Sequence, residues 1–251
     1  MALVGSGEFL PAMAEVDAGL LAGRPPKAVI VPTAAALEGD ERVAYWIDLG
    51  RAHYAAMGVE PVALDVRSRD DADDPAVAAR VQGAGLVYLS GGDPHHLADT
   101  LRASALWRAI VDAWEGGAAL AGCSAGAMAL TAGAPPELLA WRRRAGRAGR
   151  TGRTGRTPTV DRGPNGLGLV AGLAVIPHFD QMERLRPGSL EWFGAWQPDD
   201  TTLVGVEERT ALVSTGEGWR VQGAGTVWAI DAGGRHAFGP GQAVPLPVPV
   251  T

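Results

Sequence analysis

This chain has very few of the residues that several common kinds of site require. It contains one cysteine, Cys123, and one lysine, Lys27, in 251 residues. A single cysteine cannot form an internal disulfide or a cysteine-based metal site. The one lysine does not follow a glycine-rich loop, as a phosphate-binding P-loop demands. We therefore expect neither a disulfide-stabilised fold nor a nucleotide cofactor, and this cysteine usage fits a cytoplasmic protein.

The chain also lacks long apolar runs and an excess of positive charge. Its apolar stretches fall well short of the roughly 20 residues that a membrane span needs. No basic and then apolar leader precedes the first strand-like residues, so we do not expect secretion. The net charge of −6 argues against general affinity for nucleic acid. We expect a protein that contacts neither membranes nor nucleic acid.

The positive charge that is present is concentrated in segment 142–162. Eight arginines lie there among glycine, alanine and threonine, in a short repeat that has no apolar face. Such a composition cannot bury a core, so we predict a mobile loop over residues 142–163. Arginine-rich segments can bind RNA or attract acidic substrates, and for this acidic chain a nucleic-acid role is not expected.

The rest of the chain alternates short apolar strands with amphipathic helices. Strands are predicted at 2–4, 27–32, 60–64, 85–90 and 118–123, with helices between them. This βαβ rhythm predicts one α/β domain, residues 1–251, built on a doubly wound and mainly parallel sheet. Short strands separated by glycine-rich turns predict an antiparallel extension over 214–251 that closes one edge of that sheet.

The string Gly122-Cys-Ser-Ala-Gly126 stands where a predicted strand gives way to a predicted helix. A serine at the apex of such a turn, with glycines two residues to either side, is typical of a nucleophile elbow. The alternative is that Ser124 only caps the first turn of a helix. Cys123 precedes the apex by one position, so its side chain should point away from a site at Ser124.

A second glycine turn, Gly91-Gly92-Asp93, follows the predicted strand 85–90. Glycines in this position can turn backbone N–H groups outward, as in an oxyanion hole, although an ordinary turn would look the same. Parallel strands carry their ligands at their carboxyl ends. We therefore expect this turn and Ser124 to lie at the same edge of the sheet.

Two further polar stretches offer candidate metal ligands, and neither predicts a metal site. The acidic stretch 65–74 precedes Pro75 and a helical pattern, and carboxylates are typical of a helix start. His95 and His96 are adjacent, so on a helix they face different directions, and no third ligand accompanies them. No metal is expected.

A serine nucleophile needs a histidine as base, and the histidine needs an acid. His178 follows an apolar strand and is the first candidate base. Glu208 is the candidate acid, with Asp180 and Glu207 as competitors, and strand alternation would point Glu207 and Glu208 to opposite faces. An α/β-hydrolase order would instead combine Ser124, Glu208 and His236, giving an esterase.

Four motifs, in this order, resemble the dipeptidase E and cyanophycinase family of serine peptidases. They are Leu89-Ser-Gly-Gly-Asp93, Gly122-Cys-Ser-Ala-Gly-Ala127, His178-Phe-Asp-Gln181 and Gly205-Val-Glu-Glu-Arg-Thr-Ala-Leu212. The resemblance implies a flavodoxin-like sheet related to class I glutamine amidotransferases, with a Ser-His-Glu triad. It also implies a small peptide substrate that is cut next to an aspartyl residue, either an α-aspartyl dipeptide or a β-linked aspartyl-arginine.

The same resemblance assigns roles to individual residues. It implies Ser124 as nucleophile, His178 as base and Glu208 as acid. The further residues are those of an oxyanion hole, Gly92 and Ala125, and of substrate binding, Asp93 and Gln181. It implies no cofactor. The different-class alternative is a non-catalytic amidotransferase-like domain that binds a ligand or partner, and Trp192 and Trp196 leave room for a homodimer surface.

Overall fold

The computed structural model describes residues 1–135, 164–185, 187–231 and 233–247. The strands are β1 (Ala2–Val4), β2 (Lys27–Val31), β3 (Glu60–Ala63), β4 (Leu86–Leu89), β5 (Ala119–Cys123), β6 (Leu173–Pro177), β7 (Thr202–Val206), β8 (Thr210–Thr215), β9 (Gly218–Gly223), β10 (Val227–Asp231), β11 (Gly234–Phe238) and β12 (Ala243–Val244). The predicted strands 2–4, 27–32, 60–64, 85–90 and 118–123 correspond to β1 to β5.

Helices lie between β1 and β5 and directly after β5, as the sequence predicts, whereas the two helices between β6 and β7 were not predicted. The helices are α1 (Ala14–Leu21), α2 (Asp40–Ala56), α3 (Arg69–Asp73), α4 (Pro75–Ala79), α5 (Pro94–Leu101), α6 (Ala105–Glu115), α7 (Ala125–Leu130), α8 (Phe179–Leu185) and α9 (Ser189–Trp196). Short 3-10 turns, Pro11–Met13 and Thr33–Glu38, precede α1 and α2. Residues 102–104 separate α5 from α6, and Ser104 caps α6 by accepting a hydrogen bond from the Trp107 amide.

The larger sheet has eight strands in the order β12-β9-β8-β1-β5-β4-β2-β3. Five adjacent strands of this sheet, β1, β5, β4, β2 and β3, run parallel to one another. Strands β8, β9 and β12 add an antiparallel flank beside β1. The predicted fold class, a flavodoxin-like, mainly parallel sheet with an antiparallel C-terminal extension, is confirmed.

A second sheet of four strands has the order β11-β10-β7-β6. Here β6 and β7 are parallel, whereas β10 and β11 are antiparallel additions. The expectation that the whole extension closes one edge of a single sheet is therefore wrong for β10 and β11. The turn 207–209 between β7 and β8 is as short as a hairpin turn. It nevertheless connects strands of two different sheets.

Backbone and helix come unusually close around the turn after β5. A Cβ on Gly122 would lie 2.5 Å from the carbonyl carbon of Gly126, and a Cβ on Gly126 would lie 2.3 Å from the Leu89 carbonyl oxygen. The glycines on both sides of Ser124 are thus required by the packing of α7 against β4 and β5. This contact fixes where the helix begins.

The tryptophans that suggest a homodimer surface, Trp192 and Trp196, lie on α9. Trp196 is only 1% exposed and packs against Phe193 within its own chain, so it is not available to a second protomer, and Trp192 contacts the same ring. A homodimer stays a prediction.

The arginine-rich segment 142–162 lies outside the described residues. None of the helices in the described part of the chain combines the length and apolar character that a bilayer crossing demands.

The packing around α7 predicts opposite effects for two glycine-to-alanine changes. Gly126→Ala should lower the free energy of unfolding by about 1–3 kcal/mol, because its Cβ would meet backbone that cannot move aside. The matched control is Gly194→Ala in α9, where a Cβ meets no described atom within 4 Å outside the helix. It should raise that free energy by up to about 1 kcal/mol. Urea unfolding measures both, and equal effects would contradict this packing.

Candidate active site

Ser124 occupies a strained turn between β5 and α7. Its backbone has φ 51° and ψ −108°, which is rare for a residue with a side chain, and its N–H donates to the Val4 carbonyl oxygen at 2.9 Å. Its side chain makes no capping hydrogen bond to α7. The helix-cap interpretation of Ser124 is therefore wrong. Strain of this kind is typical of functional positions, and here it aims the hydroxyl away from the helix.

The histidine beside Ser124 is His178, the first residue after β6. Its Nε2 atom lies 2.7 Å from Ser124 Oγ, a hydrogen-bond distance. His178 itself has φ 122°, a second strained position in a residue that is not glycine. Two strained backbones, one from each sheet, therefore bring the hydroxyl and the imidazole together.

Three carboxylates were candidates for the acid beside His178, and the structure separates them. Glu208 Oε1 lies 3.6 Å from His178 Nδ1, close enough for an ion pair but longer than a hydrogen bond. The Glu207 carboxylate instead accepts hydrogen bonds from the Thr226 amide at 2.8 Å and from Trp228 Nε1 at 3.0 Å. Both glutamates lie in the turn after β7, so their divergence comes from that turn and not from strand alternation.

Asp180 binds the backbone of Glu208 through its side-chain carboxylate. Its Oδ1 atom accepts a hydrogen bond from the Glu208 amide at 3.1 Å, and its Oδ2 atom accepts one from Gln181 Nε2 at 2.9 Å. Of the three candidate acids, Glu208 faces the imidazole, Asp180 holds the Glu208 backbone, and Glu207 ties the turn to β10.

The alternative base, His236, is not brought to Ser124. It lies on β11 at the edge of the second sheet, its side chain is 54% exposed, and its Nε2 atom is 3.6 Å from Asp231 Oδ1. His178 occupies the place beside the serine hydroxyl instead. The combination of Ser124, Glu208 and His236 is therefore wrong.

The two backbone amides predicted for an oxyanion hole flank the same cavity as Ser124. Gly92 has φ 147°, a conformation open essentially to glycine alone, and a Cβ there would lie 2.2 Å from the Ala34 carbonyl group. Ala125 is the first residue of α7, where helical N–H groups have no acceptor within the helix. Their role in holding an oxyanion stays a prediction.

The two residues predicted to bind substrate have different surroundings. Gln181 lines the cavity beside His178. Asp93 is 5% exposed and does not line the cavity that the described residues form. Its Oδ1 atom accepts hydrogen bonds from the amides of His95 and His96, each at 3.0 Å, so Asp93 caps α5. The Asp-Pro pair at the start of that helix was a signal for this cap.

The cavity over Ser124 has a volume of about 640 Å³. Its wall combines an apolar side, which includes Leu10, Tyr45 and Trp46, with a polar side at the ends of the strands. Two charged residues that line it, Glu8 and Arg209, were not singled out from the sequence. The available signals were that Glu8 directly follows a glycine-rich loop and that Arg209 directly follows Glu208. Among the described residues, no three histidine, cysteine, aspartate or glutamate side chains are grouped so as to hold a metal ion.

Cys123 is fully buried and does not reach the cavity. Its Sγ atom donates to Glu8 Oε2 at 2.8 Å. Burial, together with the neighbouring Glu8 carboxylate, raises the pKa of the Cys123 thiol well above its usual value. The thiol is therefore kept protonated and inert, which leaves Ser124 as the nucleophile candidate at this turn.

Residues 1–137, more than half of the chain, match the profile of peptidase family S51. The chain belongs to this family. The resemblance to dipeptidase E and cyanophycinase that the four motifs indicate is thereby confirmed. The matched residues include Ser124 and the glycine turn at Gly92, whereas His178 and Glu208 lie beyond them.

Relatives agree with this assignment. Cyanophycinases from Trichormus variabilis and from a Nostoc species are each 32% identical over 181 residues, or 71% of this chain. The aligned part spans only 56% of each cyanophycinase. A crystal structure of a peptidase from an acI-B1 actinobacterium is 36% identical, with a TM-score of 0.83 over 97% of this S51 chain and 95% of the other. A Listeria monocytogenes structure, at 15% identity and a TM-score of 0.60, shows the fold alone.

The separation of the three carboxylates predicts which of them controls the reactivity of Ser124. Glu208→Gln should slow the modification of Ser124 by a fluorophosphonate about 100-fold, since the imidazolium that forms loses its counter-charge. This is the low end of such effects, because the His178 and Glu208 side chains are 39% and 40% exposed. Glu207→Gln is the matched control and should reduce thermal stability with little effect on labelling. Equal labelling rates in the two variants would contradict the assignment.

Proposed function

We propose that this chain is a serine peptidase that cleaves a peptide or isopeptide bond next to an aspartyl residue. The observation that carries the proposal is the 2.7 Å approach of Ser124 Oγ and His178 Nε2 at a strained strand-to-helix turn. A non-catalytic ligand-binding domain would have no need to hold a hydroxyl and an imidazole in this arrangement. Membership of a peptidase family supports the same choice.

The arrangement supports acyl transfer in two halves. In the first, His178 Nε2 accepts the Ser124 hydroxyl proton while Oγ attacks the carbonyl carbon, and the amides of Gly92 and Ala125 would stabilise the oxyanion. The imidazolium then gives its proton to the leaving amine, and the C–N bond breaks to leave an ester on Ser124. In the second half, water loses a proton to His178 and attacks the ester carbonyl. The imidazolium then returns that proton to Ser124 Oγ as the ester C–O bond breaks, which releases the acid and the free serine hydroxyl.

Glu208 acts in this scheme as the acid that steadies the imidazolium and sets its tautomer. Its 3.6 Å distance from His178 Nδ1 is long for a hydrogen bond, and such contacts often tighten only when substrate is bound. The hydrogen bond from the Glu208 amide to Asp180 limits how far the turn can move. A small closing motion of the side chain is then sufficient.

The charges around the cavity support an acidic substrate. Arg42 is ion-paired with Glu38 at 3.3 Å and stacks on Tyr45 and Trp46. Arg209 also lines the cavity, and no described residue lies within hydrogen-bond or ion-pair distance of its guanidinium group. An uncompensated guanidinium suits a carboxylate ligand. We propose that it receives the aspartyl carboxylate.

The size of the cavity supports a small substrate. At about 640 Å³, it lies in the range of sites that enclose small molecules and short peptides. The family resemblance of the four motifs implies a bond next to aspartate, whether α-linked or β-linked. We therefore propose short aspartyl peptides of either linkage as the substrate class.

The single buried cysteine also fits a reducing compartment, and we propose that the protein works in the cytoplasm. Fractionation of cells that produce the chain would test this, and recovery outside the cytoplasm would overturn it.

Replacement of the proposed nucleophile tests the reaction. Ser124→Ala should lower kcat on a panel of α- and β-aspartyl dipeptides by at least about 10⁴-fold, because no acyl-enzyme can form. Cys123→Ala, which changes the neighbouring buried thiol, should retain turnover. Release of amino acids followed by chromatography is the measurement. If the wild-type chain cleaves none of the panel, the substrate class is wrong; if Ser124→Ala retains full activity, the nucleophile is wrong.

Replacement of Arg209 tests the specificity separately. Arg209→Ala should lower kcat/KM for an aspartyl peptide about 10- to 100-fold, since one charge-assisted contact is lost. The same change should leave the weaker cleavage of the matching asparaginyl peptide within about threefold of wild type. Arg235→Ala, at an exposed arginine on β11, is the control. An equal loss on both peptides would argue against carboxylate recognition by Arg209.

A further inference from the structure

Glu8 is a buried carboxylate that links three segments of the site. It follows the glycine-rich turn after β1 and is only 4% exposed. Its Oε1 atom accepts a hydrogen bond from the Gly91 amide at 2.9 Å, and its Oε2 atom accepts one from Cys123 Sγ at 2.8 Å. One side chain thus bonds both to the glycine turn after β4 and to the residue directly before the nucleophile.

We propose that Glu8 is a positioning residue that sets the oxyanion-binding turn against the Ser124 elbow. This inference rests on the proposed function, because it concerns where the Gly92 amide stands when an oxyanion forms. The contact that carries it is the hydrogen bond from Gly91 N–H to Glu8 Oε1.

The packing of Gly91 shows how closely the two segments depend on each other. A Cβ on Gly91 would lie 2.9 Å from Glu8 Oε1 and 3.5 Å from Ser124 Cβ. Gly91 is thus inserted between the carboxylate and the nucleophile. If the Glu8 carboxylate moves, the glycine turn that is hydrogen-bonded to it moves relative to Ser124.

The rest of this turn is held from its other side. The Ser90 amide donates to the Val31 carbonyl oxygen at 3.2 Å, and the Asp93 amide donates to that of Ala34 at 2.7 Å. These bonds attach the turn to β2 and to the 3-10 turn behind it. The Glu8 bond attaches the same turn to β1 and to the elbow. Without the bond to Glu8, the turn keeps its hydrogen bonds to Val31 and Ala34 but loses the one on the side that faces Ser124.

The two oxygens of Glu8 are both engaged, which separates a positioning role from proton transfer. One accepts from a backbone amide and the other from a thiol that burial keeps protonated. His178 already stands at hydrogen-bond distance from the hydroxyl. Glu8 therefore acts through Gly91 and not on the reacting atoms.

Two conservative variants separate geometry from charge. Glu8→Gln keeps the length of the side chain and an oxygen that can accept from Gly91, but removes the charge. Glu8→Asp keeps the charge but shortens the side chain by one methylene, so it cannot reach Gly91 in place. We expect kcat on an aspartyl dipeptide to fall less than 10-fold in Glu8→Gln and about 100-fold or more in Glu8→Asp, with KM within threefold. Displacement of an oxyanion donor typically costs about 10²–10³ in rate.

The opposite order would overturn the proposal, because a greater loss in Glu8→Gln than in Glu8→Asp indicates that the charge or proton of Glu8 matters. Glu15→Ala, at an exposed carboxylate on α1, is the control for a remote change. Thermal unfolding of each variant separates loss of folded protein from loss of rate. A fall in kcat that merely tracks the folded fraction would also overturn it.

Two further readouts keep this inference distinct from the proposed function. If the wild-type chain cleaves no aspartyl peptide, the rate of fluorophosphonate labelling at Ser124 replaces kcat and should fall in the same order. If Ser124 is not labelled either, the proposed nucleophile is wrong, and hydrogen exchange at the Gly91 amide decides the positioning role. It should be faster in Glu8→Asp than in wild type or Glu8→Gln. Unchanged exchange in Glu8→Asp would overturn the inference.

Discussion

The contact between Ser124 Oγ and His178 Nε2 is the constraint on which the rest of the structure depends. The two residues follow strands of different sheets, β5 and β6, and each sits on a backbone that residues with side chains rarely adopt. The larger sheet supplies Ser124, and the smaller sheet supplies His178 and Glu208. A site of this kind exists only if the carboxyl ends of both sheets face the same cavity.

Close backbone packing stabilises the strained elbow. Gly122 and Gly126 let α7 lie directly on β4 and β5, where side chains would collide with main-chain atoms. The cost of the Ser124 conformation is of the order of 1–3 kcal/mol and is offset by burial of the surrounding strands. Every residue of β5 is buried. The hydroxyl is consequently presented by rigid elements, which favours accurate placement over adaptability.

The charged groups at the cavity divide into those that are compensated inside the protein and those left for a ligand. Glu8 is enclosed by Gly91 and Cys123, and Arg42 is held by Glu38 and by the rings of two aromatic residues. Arg209 has no such partner among the described residues. Internal compensation keeps the first group fixed in place. Under the proposed function, the Arg209 guanidinium is the group that would favour an acidic substrate over a neutral one.

Local sequence patterns were sufficient for the elements themselves. The apolar runs and glycine turns predicted β1 to β5 and an elbow at Ser124, because each depends on neighbouring residues only. They also indicated His178 as a candidate base. They failed for the last strands, since the turn after β7 carries no local sign that β10 and β11 belong to a different sheet from β9.

The sequence by itself determined a mainly parallel α/β fold, the glycines at the elbow and a cysteine directed away from the site at Ser124, because periodicity and backbone sterics are properties of short segments. Only the tertiary structure decided that His178 and not His236 meets Ser124, and that Glu207 turns toward Trp228. It alone showed Glu8 bonded to Gly91. These pairings join residues up to 83 positions apart in the chain, and they depend on how distant segments pack within and between the two sheets and not on any local pattern.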